Sequence, residues 1–427
     1  NVPESIIDFK FEHITPQDIV KAFKSLKIKA TADIDDLSVR IISSVIDVIA
    51  VHLANIFNKC VDNGDFPDLM KHSKIIPLKL QHYGIKGLAL NLLSSYLSQR
   101  IQKVDVNGER SAGSVVSMAV LQGSSLGPFS FLIYVNDLPY FVKDTHEIVL
   151  FAEDTSLVFK IKRQQLTYDD VNKPISEVVN WFTVHNLLLN GKKTKCLKFS
   201  LPNVRSVPTN IQVRGENLDL VDSTVFLGFT LDSRLQWGPH IDKLALRLSS
   251  AAYAVKKIRG YSDEATARLV YFNYFHSIMT YGILLWGHAA DWHNIFVLQK
   301  RAIRAIYQLG PRTPLRDKFK NVDIMTMPSQ YIYKNLIYVH KNIHLFMKNS
   351  DVHSRNTRNK DILVTGSCRL AKVHKSFVGQ CVRFNNKVPT DIQNLLLNQF
   401  KATIKIKLCH KSCYSISEYE NDKSLWD

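Results

Sequence analysis

The 427-residue chain has no apolar run approaching the roughly 20 residues that a membrane-crossing helix needs. It has no internal repeats and no low-complexity tracts, which leaves an ordinary globular reading. Cysteine is scarce. Cys60, Cys196, Cys368, Cys381, Cys409 and Cys413 lie far apart, which excludes a dense disulfide framework and points to a reducing compartment. The start, Asn1-Val2-Pro3-Glu4-Ser5, lacks a basic segment followed by an apolar core, which argues against a signal peptide. It also lacks an initiator Met, which suggests a fragment. The expectation is a soluble protein of the cytoplasm, the nucleus or both, with no membrane partner. Acid is in short supply too: 38 Asp and Glu stand against 55 Lys and Arg, a net charge of +17. So basic a balance suggests a polyanionic partner, although a basic but unrelated globular protein would show it as well.

What is present is a composition of 45% hydrophobic and 22% charged residues, at a length that suits two or three domains. Thr15-Pro16 with Asp18 reads as a helix start. Val39, Ile42, Val45, Ile46, Ile49, Leu53 and Ile56 recur at helical spacing. Residues 74–78 read as a short strand, 87–98 as a helix and 102–106 as a strand. Pro128 is expected to open an apolar helix that Pro139 stops. Residues 147–160 read as a β-hairpin with Glu153-Asp154 at its turn. A helix is expected over 175–185, a strand and turn over 224–231, and a basic amphipathic helix over 240–258. From about Glu264 the chain reads as mostly helical, with residues 350–360 as a candidate linker.

Two passages carry chemistry. Val120-Leu121-Gln122-Gly123-Ser124-Ser125-Leu126-Gly127-Pro128 is a Gly- and Ser-rich loop whose backbone can approach a ligand closely, ahead of a helix N-terminus that favours phosphate. A plain strand-to-helix turn is the alternative. In Phe151-Ala152-Glu153-Asp154-Thr155, adjacent acids between hydrophobic strands call for a partner such as Mg²⁺, or else form a solvated hairpin turn.

Together, in order and spacing, these passages resemble the reverse transcriptases of non-LTR (LINE-type) retrotransposons, most closely the jockey-like insect elements. Further segments share the resemblance, which covers nearly the whole chain. They are Tyr96-Leu97-Ser98-Gln99-Arg100-Ile101-Gln102-Lys103-Val104, Tyr134-Val135-Asn136-Asp137-Leu138-Pro139, and Trp181 with Leu187, Leu189, Asn190, Lys193 and Thr194. Phe226-Leu227-Gly228-Phe229-Thr230-Leu231-Asp232 with Trp237 and His240 follows, then Tyr281-Gly282-Ile283, Trp286-Gly287 and Asn356-Thr357-Arg358.

The resemblance implies an α+β fold: a right-hand polymerase palm of antiparallel sheet and helices, truncated fingers, and a helical thumb and C-terminal region. The implied boundaries are 1–80 for the fingers remnant, 81–235 for the palm, 236–262 for the thumb helix and 263–427 for the helical C-terminal region. Glu153 and Asp154 would be the metal ligands of the hairpin, holding Mg²⁺ or Mn²⁺, with Lys193 facing the outgoing pyrophosphate. Arg100, Gln102, Gln122, Gly123 and Ser124 would meet template and nucleotide, and Leu227 and Gly228 would belong to the primer grip. Lys243, Arg247, Lys256, Lys257 and Arg259 would dress the thumb helix, or merely its solvated face. The implied partners are an RNA template, a DNA primer and deoxynucleoside triphosphates.

Two departures bear on activity. The family's Phe-x-Asp-x-x-Lys-Ala-Phe-Asp motif, which supplies another obligatory metal-binding Asp, is missing. Pro77-Leu78-Lys79 runs directly into Leu80-Gln81-His82-Tyr83-Gly84-Ile85. No Asp or Glu occurs from Lys71 to Val104, and Asp68 and Asp105 flank that stretch outside any matching context. The second departure is Glu153 where the family has Asp, a carboxylate reaching one methylene further. A displacement of ~1 Å can cost about 10²-fold in rate. The sequence therefore reads as an impaired RNA-directed DNA polymerase, or as a non-catalytic relic that binds RNA or an RNA–DNA hybrid. The join at Lys79-Leu80 would be a real deletion or a gene-model artefact. Cys409, His410 and Cys413 hint at zinc but fall short of four ligands unless Cys368 or Cys381 folds back.

Overall fold

The computed structural model describes residues 13–25, 39–63, 77–97, 100–103, 105–106, 109–116, 124, 126–141, 146–160, 169–185, 187–200, 211–352, 360–365, 371–422 and 424–426. The chain divides into two compact units: residues 1–191 with 210–217, and residues 192–209 with 218–427. Among the described residues no helix is long and apolar enough to cross a membrane.

In the first unit, Thr15 caps the helix Pro16–Ser25. Its hydroxyl accepts from the Asp18 amide at 3.3 Å and donates to the Asp18 carboxylate at 2.6 Å. Ile19 of that helix packs on Ile46, Ala50 and Ala54 of the helix Val39–Asn63. The i, i+4 spacing sets one row of small side chains toward the partner helix. On the other side of the long helix Val45, Val48, Val51 and Ile56 face solvent, Val48 at 75% exposure. A helix apolar all round is ordinarily buried on every side.

The strand expected over 74–78 is corrected at its C-terminal end, where Pro77 and Leu78 begin the helix Pro77–His82. Residues 74–76 lie outside the described residues. Pro at the first helical position loses nothing by lacking an N–H. The helix also buries Leu80 against Ile85, Ala89, Leu93 and Tyr96, the last three on the helix Gly87–Tyr96. It points Lys79 inward. The Lys79 ammonium donates to the Tyr134 carbonyl at 2.6 Å and to the Asp137 carboxylate at 2.8 Å, and lies 4.8 Å from the Tyr134 ring centroid. The chain thus passes through Lys79-Leu80 within one helix.

Strands come only in pairs. Seven two-stranded sheets occur among the described residues, and none joins another. Residues 102–106 are split between Arg100–Gln102, which pairs with Ser114–Val116, and Asp105–Val106, which pairs with Glu109–Arg110. The apolar helix is Leu126–Val135, two residues earlier than Pro128 suggested. The Ser124 hydroxyl accepts from the Gly127 amide at 2.9 Å and so starts it. Pro139 does not stop the chain's helical course. It sits in the first turn of a short helix, Leu138–Phe141, where a missing N–H is tolerated. The helix expected over 175–185 begins earlier, as Asp169–Val184, with Pro174 inside it.

The second unit is helical around one large core. Ile241, Leu244, Leu248, Ala251, Ala252 and Val255 form the buried stripe of the helix Gly238–Tyr261. It packs against the helix Trp292–Ile306, which buries Ile295, Phe296, Gln299, Ala302 and Ile303. Gln299 is fully buried and fully used. It donates to the Tyr271 hydroxyl at 3.0 Å and the Met325 carbonyl at 2.9 Å, and accepts from the Met327 amide at 2.7 Å. Asp263, Thr326 and Ser415 cap the next helices, as their positions ahead of apolar runs imply. The candidate linker over 350–360 falls mostly outside the described residues.

Burial holds three histidines of this unit below the ordinary imidazole range. His276 is lowered to about 4, with Lys334 adding to the effect. His240 is lowered with help from Arg247 and Lys243, and His288 by burial alone. Each is held neutral in the folded state, whereas in the unfolded chain it takes a proton near its ordinary pKa of 6.5. Their contribution to stability is therefore complete above that value and is lost as pH falls through the lowered values. The urea midpoint of this unit should be flat above about pH 7 and drop steadily between about pH 6.5 and 4. A midpoint that ignores this window would refute it.

Candidate functional site

The acid hairpin forms, with its turn one residue earlier than Glu153-Asp154. His146–Phe151 pairs antiparallel with Asp154–Phe159, closed by Ala152 and Glu153. Ile148, Leu150 and Leu157 turn inward onto Val135, Leu138, Val178 and Trp181. Successive strand residues alternate faces, so Val149, Phe151 and Val158 fall on the outer face, Phe151 at 60% exposure. Asp154 pairs with Phe151 on that outer face, and both Asp154 and Glu153 are exposed. Ala152 has φ 49, a left-handed backbone that a non-glycine residue adopts at a cost of about 1–2 kcal/mol.

Behind the hairpin lies a polar knot that the sequence did not single out. Lys79 pairs with Asp137, and the His185 imidazole stands 3.8 Å from the same carboxylate. Tyr134 donates its hydroxyl to the His185 carbonyl at 2.5 Å, and the His185 ring stacks on Trp181 at 3.9 Å. This knot ties the helices flanking the hairpin together, and it gives Trp181 and Asp137 of the motifs a structural part.

The carboxylates themselves are two, adjacent and on one hairpin. Among the described residues no group of three or more His, Cys, Asp or Glu gathers anywhere. A two-ion centre takes carboxylates from more than one element, so Glu153 and Asp154 do not fit that arrangement by themselves. Ser124 serves the helix start. Gln122 and Gly123 lie outside the described residues. Arg100 and Gln102 fall in the strand paired with Val116 and Ser114. Lys193 is exposed near the beginning of the second unit.

In that unit Leu227 and Gly228 form the two-residue turn between Ser223–Phe226 and Phe229–Asp232. Both have positive φ, 47 and 83, as the tightest hairpins require. Tyr281 and Gly282 hold this turn. The Tyr281 hydroxyl donates to the Leu227 carbonyl at 2.8 Å, and its ring stacks on Phe229 at 4.9 Å, nearly parallel. Gly282 has φ 56, and a Cβ there would come within 2.1 Å of a Phe229 ring carbon. Asp232 then accepts from the amides of Arg234 (3.0 Å), Gln236 (2.9 Å) and Trp237 (2.7 Å), turning the chain into the long helix. The His240 Nδ1 accepts from the Thr230 amide at 3.4 Å. The motif from Phe226 to His240 is therefore one interlocked corner.

Two assignments change. Arg259 is not a free cation of the helix face. Its guanidinium donates to the carbonyls of Ile306 and Ser262, each at 2.9 Å, satisfying the C-terminal end of the helix Trp292–Ile306. In the hinted zinc group, Cys409 and Cys413 are buried, whereas His410 is exposed. Burial pushes their thiols up to about 12 and about 11, which opposes the thiolate a zinc ion needs. Cys381 is buried beside Asn335, and Cys368 lies outside the described residues.

Two substitutions test the local geometry. Ala152→Gly should stabilise the first unit by about 1 kcal/mol in urea denaturation, since glycine takes positive φ without strain. Gly282→Ala should destabilise the second unit by about 3 kcal/mol, combining overpacking with backbone strain. Equal stability of the Gly282 variant and the parent would show that the ring contact does not hold the hairpin.

Residues 54–231 match the family of reverse transcriptases, RNA-dependent DNA polymerases. Over 249 residues the chain is 30% identical to the probable RNA-directed DNA polymerase from transposon BS of Drosophila melanogaster, covering 56% of this chain and 26% of that protein. It is 24% identical over 223 residues to the probable RNA-directed DNA polymerase from transposon X-element of the same organism, covering 50% and 24%. It is 22% identical over 226 residues to the RNA-directed DNA polymerase from the mobile element jockey, also of Drosophila melanogaster, again covering 50% and 24%. The chain spans about a quarter of the length of these relatives. The alignments cover about half of it, less than the motifs implied. The family match takes in every candidate residue from Arg100 to Gly228 and ends before the long helix. Residues 54–231 are thus a reverse transcriptase domain of the LINE (non-LTR) type.

Proposed function

We propose that the chain is a reverse transcriptase-like protein of a non-LTR retrotransposon whose RNA-directed DNA polymerase activity is lost or severely reduced, and which still holds RNA or an RNA–DNA hybrid. The observation that carries this reading is the carboxylate pair. Glu153 and Asp154 stand on a two-stranded hairpin with no third carboxylate beside them among the described residues, and the sequence holds no Asp or Glu from Lys71 to Val104. Templated nucleotide addition needs the primer 3′ hydroxyl deprotonated and the pyrophosphate's charge stabilised as it leaves. The family uses divalent ions for this, and their stabilisation amounts to several kcal/mol, each ~1.4 kcal/mol being tenfold in rate. A hairpin that carries only part of the ligand set forfeits most of it.

The exposed apolar surfaces favour a genuine internal deletion. The outer face of the hairpin and the free side of the helix Val39–Asn63 both show valine and larger apolar side chains to solvent. A deleted strand and fingers segment would have covered such faces. In this reading residues 1–80 are the remnant of the fingers, 81–235 the palm, 236–262 the thumb helix and 263–427 a helical C-terminal region. Gln122, Gly123 and Ser124, with Arg100 and Gln102, are the residues assigned to template and nucleotide. Lys193 faces the phosphates, Leu227 and Gly228 belong to the primer grip, and the cell compartment is the cytoplasm, the nucleus or both.

The test is primer extension on an RNA template with the purified chain, Mg²⁺ or Mn²⁺, and Asp154→Ala as control. The expected result is no templated extension by either protein, with RNA binding that weakens steeply as salt rises. Extension that disappears in the Asp154→Ala control would mean that another carboxylate completes the site. Binding indifferent to ionic strength would remove the nucleic-acid half of the reading.

A further inference from the structure

Three features meet near the C-terminal end of the helix Gly238–Tyr261. Lys243, Arg247, Ser250, Tyr253, Lys257 and Tyr261 follow one another on its exposed side at spacings of three and four residues. Residues so spaced line one face, so cations and aromatic rings share a single stripe about 27 Å long. Tyr253 is 60% exposed and Tyr261 88%. The Lys257 ammonium lies 5.5 Å from the Tyr253 ring centroid.

The second feature is a cleft of about 350 Å³ lined by Tyr253, Lys256, Lys257, Gly260 and Tyr261. The groove is half open to solvent. The third is Gly260. It lies inside the helix and is not among the residues with positive φ, so the backbone does not demand glycine there. A Cβ on Gly260 would meet nothing within 4 Å. The effect of the missing side chain is to leave the floor of the cleft open. The next acid in the sequence, Asp263, is turned to the following helix, accepting from the Thr266 amide at 2.9 Å.

We infer that this stripe binds single-stranded nucleic acid, with one unpaired base entering the cleft between Tyr253 and Tyr261 and the adjoining phosphates on Lys256 and Lys257. The inference rests on the nucleic-acid reading above and adds strandedness to it. Paired bases hide their faces in the helical stack and offer only phosphates, to which exposed tyrosine rings contribute little. An unpaired base offers a π face, and stacking on it is tolerant of sequence. The cations fix the strand through its charge, and Lys257 beside the Tyr253 ring adds a cation to the stacking surface.

Fluorescence anisotropy with the full chain tests this, using a labelled oligouridylate of about twelve nucleotides and a duplex RNA of the same length. The single strand should bind more tightly than the duplex. Tyr253→Ala and Tyr261→Ala should each weaken single-strand binding about tenfold, leaving the salt slope unchanged, whereas Tyr253→Phe keeps the affinity. Lys256→Gln and Lys257→Gln should each reduce the slope of log K against log salt by about 0.7. Gly260→Leu should fill the cleft and weaken binding while the melting temperature holds. Tyrosine variants that bind like the parent, or a duplex bound as tightly as the single strand, would overturn the inference alone. A parent protein that binds neither RNA would overturn the underlying reading together with it.

Discussion

A phenylalanine ring resting on a glycine organises the second unit. Phe229 fills the space that Gly282 leaves by having no side chain, and Tyr281 lies over the same ring. With the ring fixed, the Leu227-Gly228 turn is held at its carbonyl, and the strand after it leads into Asp232. That carboxylate gathers three amides and sets the first turn of the long helix, whose apolar stripe then meets the rest of the core. Close packing makes this arrangement all-or-none, since a core at crystal-like density transmits any misfit to its neighbours.

The hairpin of the first unit has support of another kind. Its inner face is anchored on Trp181 and Leu138, and the Lys79–Asp137 knot braces the helices behind it. Its outer face, where Asp154 sits, has no comparable backing among the described residues. Catalytic groups work when their own positions are fixed by surrounding packing and hydrogen bonds. Asp154 sits at the first position of a strand that is braced on one face only. That contrast separates the braced inner face of the hairpin from the open face that carries its carboxylates.

Much of this was legible in the sequence where local rules and tertiary packing agree. The β-rich stretches on either side of Glu153-Asp154 specified the hairpin, and residues 224–231 read as a strand and its turn, without the second strand Phe229–Asp232 being set apart. The stripe from Ile241 to Val255 specified the long helix. Reading failed where a residue's role depends on what lies far from it in the chain. Residues 77–78 read locally as the end of a strand, because nothing local shows that Lys79 and Leu80 are wanted inside. Arg259 resembled its solvated neighbours, and only the carbonyl of Ile306, distant in sequence, sets it apart. Pro139 was read as a stop because proline breaks a helix interior, yet the same residue is at ease in a first turn. The polar knot around Asp137 was invisible because its members come from three separate segments.

The division of the core has a consequence for how the chain tolerates change. The helical unit closes around its own apolar side chains, with its caps, its buried glutamine and its glycine-seated ring all drawn from residues 218–427. Changes upstream, in the segment before Leu80, touch nothing that this core is made of. The helical unit keeps its folded surface whatever changes the hairpin of the first unit undergoes.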